Sequence, residues 1–217
     1  MGPADPMQDN PRLGIALMIA TTVVFAVQDG ISRYLAENYN VITVVTIRYL
    51  FFMCFVLVYS SRQKGGIRHV ASSGQLPLQI GRGLLLVAQI CIAILSFSTV
   101  GLVNFHAVFA SYPLMVMALS VPILGETVGW RRWLAVCVGF CGVLLILRPG
   151  TAMFSSASIL PVLAAFMMAV YGILTRYAAR RDAAETSFFW TAMAGGIAML
   201  CVGPFFWLPP VGSDWGW

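Results

Sequence analysis

Asn104 to Glu126 reads NFHAVFASYPLMVMALSVPILGE. The run is almost unbroken in apolar residues, yet it holds two prolines, Pro113 and Pro122, and ends on the acid Glu126. In water two such prolines argue against a helix, because each lacks an N–H and crowds the preceding turn. In lipid they are tolerated, because neighbouring helices satisfy the freed carbonyls. Gly129 and the pair Arg131 and Arg132 follow, then a second apolar run from Trp133 to Leu147. The unit is a span, a short basic turn and another span, and the rest of the chain repeats it.

Composition agrees. Of 217 residues, 59% are hydrophobic and 10% charged, against about 25% charged in soluble domains. Mean hydropathy is +0.85. The chain reads as an all-α, polytopic helical membrane protein, with the lipid bilayer as its main partner. The basic balance (pI near 9.2) does not point to nucleic acid, since the positive charges sit in short loops between apolar runs. Cys54, Cys91, Cys137, Cys141 and Cys201 all fall inside apolar runs. Cys137 and Cys141 share a helix face, but no histidine or acid accompanies them. They read as packing residues, and neither metal nor cofactor is expected. The N-terminus lacks the basic region of a signal peptide, so the first span is expected to stay as an anchor.

Seven runs are long enough for a hydrocarbon core of ~30 Å: 13–35, 41–60, 81–98, 103–124, 130–148, 157–178 and 186–208. The third and fourth are joined only around Thr99 to Leu102 and form a tight hairpin. Ala135 with Gly139, and Ala192 with Gly196, are small-xxx-small pairs that let helices approach closely in lipid. With the N-terminus in the cytoplasm, ten Lys and Arg residues face inward, Arg82 among them. Arg33 and Arg148 face outward and Arg48 lies within a span. That asymmetry favours a cytoplasmic N-terminus.

FAVQDGISRYLA at 25–36 aligns with MAVYGILTRYAA at 168–179, five of twelve positions being identical. The copies lie in spans one and six. A repeat of five spans is odd in number, so the copies are inverted in the membrane. Inverted repeats mark transporters, with the substrate site at the repeat interface. The expected organisation is a tail at 1–12, a first five-span repeat at 13–150 and a partial second repeat of two spans at 151–217. Seven spans of an expected ten imply a truncated chain, or one that borrows its missing half from a second copy as a homodimer.

The fourth and fifth spans carry a resemblance. SYPLMVMALSVPILGETVGWRRWLAVCVGFCGVLLILRPG has a mid-span proline, Pro113, and a span closing on Gly125 and Glu126. A fifth span led by Trp133 with Gly139 and Gly142 follows, with an exit at Arg148, Pro149 and Gly150. Arg48 stands early in span two. The chain thus resembles the drug/metabolite transporter superfamily, EamA type, over 12–150 and two further spans. The resemblance implies five plus five inverted spans in a bacterial inner membrane and alternating-access transport of small organic metabolites. A non-transporting remnant of such a carrier is the alternative.

Other classes fit less well. The only lysine, Lys64, lies in a loop, which leaves no retinal Schiff base and no Ser–Lys dyad. His69 and His106 are expected on opposite sides, too far apart for a zinc enzyme, and the chain has no GxxxxGK phosphate loop. The chain is not expected to be an enzyme.

Intramembrane polar groups are the site candidates. At the repeat offset of 143 residues, Asp29 corresponds to Gly172 and Arg48 to Thr191. Both charges vanish together from the second copy, so an Asp29–Arg48 ion pair is expected, either locking spans one and two or gating the path. His106, Ala110, Pro113, Met117 and Ser120 fall along one face of span four, which in the resembled family borders the cavity. His106 is the candidate for a coupling proton. Gln89 needs a partner at mid-membrane, from a helix or a ligand. Tyr112, Tyr171 and Trp190 offer rings to a planar substrate. Glu126 suits the N-terminus of span five and, with Gly139 and Gly142, reads as structural.

Overall fold

The computed structural model describes residues 11–63, 65–125, 129–147 and 159–208, and among them every regular element is helical. In chain order they are α1 (Pro11–Asn38), α2 (Val41–Ser61), α3 (Gly66–Ala71), α4 (Leu76–Val100) and α5 (Leu102–Phe109). Then come α6 (Tyr112–Leu124), α7 (Trp130–Leu147), α8 (Ile159–Ala178), α9 (Ala184–Val202) and a 3₁₀ turn at Gly203–Phe206. Six stretches are long and apolar enough to cross a membrane: α1, α2, α4, α5 with α6, α8, and α9 with its 3₁₀ turn. The helix α7 covers the expected span 130–148 over 18 residues but opens on Trp130, Arg131 and Arg132, and it is not among the six.

Local sequence sets the boundaries. Asn40 caps α2, its side-chain oxygen accepting from the Ile42 N–H at 3.0 Å. Pro77 stands in the first turn of α4, where a missing N–H costs nothing. α4 therefore starts five residues before the expected 81, and Arg82, counted among the inward-facing charges, stands six residues inside the helix. Gly101, at φ 87° and ψ 153°, makes the whole connection between α4 and α5. That conformation is open essentially to glycine alone.

The proline-bearing stretch also differs from expectation. It is two helices, broken at Ala110 and Ser111, with Pro113 in the first turn of α6. Pro113 would otherwise crowd the carbonyl of Phe109. Pro122 alone sits inside a helix.

At the centre α8 packs on α4 and α6, and α9 packs on α2 and α4. The Thr43 hydroxyl donates to the Phe206 carbonyl at 3.2 Å and accepts from the Leu208 N–H at 3.1 Å. At the other end the Trp190 indole N–H donates to the Ala71 carbonyl at 3.0 Å. α2 and α9 therefore run antiparallel. Their approach depends on small residues: a Cβ at Gly195 would collide with the Tyr49 ring, and one at Gly203 with Thr46. Ala192 is wholly buried beside Val56 and Phe189. On α7, a Cβ at Gly139 would strike Leu114, whereas among the described residues no packing neighbour lies within 4 Å of one at Gly142. α1 is the exception, because none of its most apolar window is buried.

Candidate functional site

A cavity of about 650 Å³ lies between α1, α2, α4, α8 and α9. Two arginines reach its wall. Arg82 stands six residues from the start of α4, and Arg48 seven from the start of α2. Tyr49, next to Arg48, meets α9 at Gly195, while Arg82 meets it at Ser187 and Thr191. At ~1.5 Å per residue these two contact levels on α9 are on the order of 10 Å apart along the bundle.

Arg82 is 2% exposed and anchors a network across three helices. Nη1 donates to the Tyr171 hydroxyl at 3.3 Å and to Thr175 Oγ1 at 3.1 Å, both on α8. Nη2 donates to Gln79 Oε1 at 2.9 Å, the Ser187 carbonyl at 2.5 Å and Thr191 Oγ1 at 2.9 Å. The guanidinium also lies over the Tyr171 ring, 5.3 Å from its centroid. Every one of these partners is neutral. An acid, Asp182 in the turn between α8 and α9, joins the network through Gln79, whose Nε2 donates to Asp182 Oδ2 at 2.8 Å. Asp182 also accepts from Ser73 Oγ at 2.5 Å and the Gly74 N–H at 3.1 Å, tying the α3–α4 loop to the α8–α9 turn. Burial pushes the Asp182 carboxyl up. The donors Gln79, Ser73 and Gly74, with the Arg82 charge, outweigh that and hold it below the usual carboxylate value.

Arg48 is partnered differently. With the Gln28 amide oriented to satisfy the contact, its oxygen accepts from both Nη1 and Nη2 of Arg48 at 2.5 Å. The expected Asp29–Arg48 ion pair is not made. Asp29 Oδ2 instead meets His106 Nε2 at 3.3 Å, joining α1 to α5. One residue of register explains this: Gln28 faces α2, and Asp29, about 100° further round the helix, faces α5.

Of the sequence candidates, the cavity wall gathers Arg48 and Tyr171. Asp29 and His106 pair with each other outside the lining, and Gln89 is buried within α4, also outside it. The break at Ala110 and Ser111 disrupts the expected face of span four. His106 and Pro113 are exposed, Met117 is half-buried, and neither Pro113 nor Met117 lines the cavity. Trp190 holds Ala71 and is likewise not on the wall. Glu126 lies outside the described residues. Sequence reading missed Gln28, Tyr49, Arg82 and Thr191. For Arg82 the available signal was Pro77, a helix-start residue that places it deeper in the span than a start at 81 does.

The family profile of EamA-like transporters matches residues 12–148. An S-adenosylmethionine uptake transporter of Rickettsia felis is 27% identical over 201 residues, covering 93% of this chain and 67% of that protein. Its counterpart in Rickettsia prowazekii is 24% identical, covering 91% of this chain and 66% of that protein. A riboflavin transporter of Vibrio cholerae is 27% identical over 183 residues, 83% of this chain and 61% of that protein. The chain thus spans about two thirds of the length of these curated relatives. No solved structure matches.

Proposed function

The chain belongs to the EamA-like transporter family, and from that premise we propose that it works as a carrier of small organic metabolites by alternating access, with the 650 Å³ cavity as its substrate site. The observation that carries this reading is the cavity's place between α1 and α2 on one side and α8 and α9 on the other. Those helix pairs are the corresponding first two spans of the two repeats, and carriers bind substrate where repeats meet. At the offset of 143 residues, Gln28 corresponds to Tyr171 and Arg48 to Thr191, and all four line the cavity. The finer arrangement belongs to the same reading. α7 is a seventh crossing, 13–150 is one repeat, the N-terminus faces the cytoplasm of a bacterium, and His106 with Asp29 is the coupling-proton site.

Proteoliposomes test it. The relatives' named substrates, S-adenosylmethionine and riboflavin, head a panel of metabolites, assayed with and without an imposed pH gradient. Saturable uptake of a panel member above protein-free liposomes, weakened by Arg48→Gln, is the expected result. Uptake no faster than in empty liposomes for the whole panel would overturn the reading. Crosslinking in the same vesicles reads whether a second copy takes part.

A further inference from the structure

We propose that this cavity selects organic anions, binding a carboxylate or phosphate at its arginines while a flat ring packs on its aromatic wall. The inference deepens the carrier reading and rests on it for the identity of the site.

Charge is the first ground. Two guanidiniums line the cavity, and among its described lining residues there is no aspartate or glutamate. Asp29 and Asp182 lie within electrostatic reach of Arg48 and Arg82, but their hydrogen bonds go elsewhere: Asp29 to His106, and Asp182 to Ser73, Gly74 and Gln79. Burying a cation without a contacting anion is costly, and hydrogen bonds to neutral oxygens with a more distant carboxylate offset only part of that cost. A bound anion supplies the remainder, whereas a cationic substrate adds to it.

Unused donors are the second ground. Tyr49 Oη and Arg82 Nε are buried and have no hydrogen-bond partner among the described residues. Their side chains are each 2% exposed, and both residues line the cavity. An arginine N–H can only donate, and a tyrosine hydroxyl donates readily. Both atoms are covered in this structure, so an oxygen-rich group such as carboxylate or phosphate satisfies them once the flanking side chains shift, and charge-assisted bonds of this kind are the strong ones.

The repeat supplies the third. In the first copy the cation is Arg48, faced by Gln28. In the second copy the equivalent positions, Thr191 and Tyr171, are neutral, and they cradle Arg82 from α4 instead. Each half of the cavity therefore presents a guanidinium held by neutral partners, through five acceptors at Arg82 and a single amide at Arg48. An anionic group meets one such station near either end. Phe25, Phe52 and Phe188 also line the space and offer rings to a planar group.

The test isolates one phosphate. Riboflavin and riboflavin 5′-phosphate share a ring system and are both fluorescent, so their binding to the full 217-residue chain in nanodiscs of uncharged lipid is directly comparable. The phosphate ester is expected to bind about tenfold or more tightly than riboflavin, the scale of one charge-assisted contact. Arg48→Gln should bring the two within about twofold, and Arg48→Lys should restore most of the preference. Tyr49→Phe should keep the melting temperature and weaken the ester about threefold, as loss of one modest hydrogen bond does. Equal binding of the two flavins, equal loss of both in Arg48→Gln, or binding of neither flavin would each overturn the proposal. Uptake separates it from the carrier reading. If riboflavin enters liposomes and its phosphate neither binds nor enters, the carrier stands and anion selection falls. If the phosphate binds through Arg48 and no metabolite of the panel is taken up, anion selection stands and the carrier falls.

Discussion

The two ends of the cavity use similar residues in opposite ways. Around Arg82, polar groups from α4, α8, α9 and two connections each serve several partners. Gln79 alone bonds Arg82, Asp182 and Ser187, the last at 3.1 Å. Around Arg48 and Asp29 the contacts are single, on a helix, α1, that is largely exposed. The His106 and Asp29 side chains keep 47% and 25% of their surface exposed. A guanidinium shared among five acceptors fixes where three helices sit. One held by a single amide can exchange that partner for a ligand at little structural cost. Depth of partnership, rather than residue type, separates the framework from the working end.

Breaking the framework end should have the largest effect. Arg82→Leu leaves Gln79, Thr175 and Thr191 with unmet hydrogen bonds in the interior. Each buried acceptor left unsatisfied costs about 1–3 kcal/mol; several such losses, partly offset by removal of the buried charge, should total on the order of 3 kcal/mol, read as loss of folded protein in detergent melts. A stability loss like that of an exposed-site variant would mean that the network does not hold the helices. Gly195→Val should follow at about 1–3 kcal/mol, because its side chain must displace the Tyr49 ring, and overpacking a tight contact costs that much. It should also distort the cavity wall and weaken ligand binding, as a titration of the variant would reveal.

Asp182→Asn is milder, at about 1 kcal/mol near neutral pH, the worth of a typical hydrogen bond. Its signature lies in the pH dependence. The folded-state pKa is depressed, so the charge stabilises fully above the ordinary carboxylate value of 3.8. That contribution fades as pH falls through the lower, folded-state value. Melting curves of the wild type should lose stability on that acid side, and those of Asp182→Asn should lose less. Parallel curves would remove Asp182 from the latch between the α3–α4 loop and the α8–α9 turn. His106→Ala should change stability least, by under about 1 kcal/mol, since a partly exposed pair contributes little. On the carrier reading it should still alter the response of uptake to a pH gradient, which sharpens the contrast between the ends.

Much of this was legible in the chain. Long apolar runs, proline placement and sparse charge give helices in lipid, because a bilayer leaves the backbone few other ways to satisfy its hydrogen bonds. The match between 25–36 and 168–179 marked the helix pairs that flank the cavity. Arg48 and Tyr171 stood out because polar groups inside apolar runs are costly. Sequence reading faltered where one residue of register decides a partner. Asp29 and Gln28 are neighbours in the chain but face different helices, so the expected ion pair fell to Gln28. It faltered also where an apolar-run boundary stood in for a helix start. Arg82, at the edge of the expected span and counted with the inward-facing charges, lies six residues into α4, which begins at Leu76.

The sequence by itself determined that the chain is helical and membrane-embedded, and that it carries few charges within its spans. Period, hydropathy and backbone chemistry are local properties, readable without knowing what packs on what. Only the tertiary structure decided which of those charges meet. It seated Arg82 among neutral oxygens from helices about 90 to 110 residues away in the chain. It turned Asp29 to His106 and left Arg48 with an amide. Side-chain partnership inside a bundle depends on helix rotation and close approach, and both are set by contacts such as Gly195 on Tyr49, which pattern along the chain does not encode.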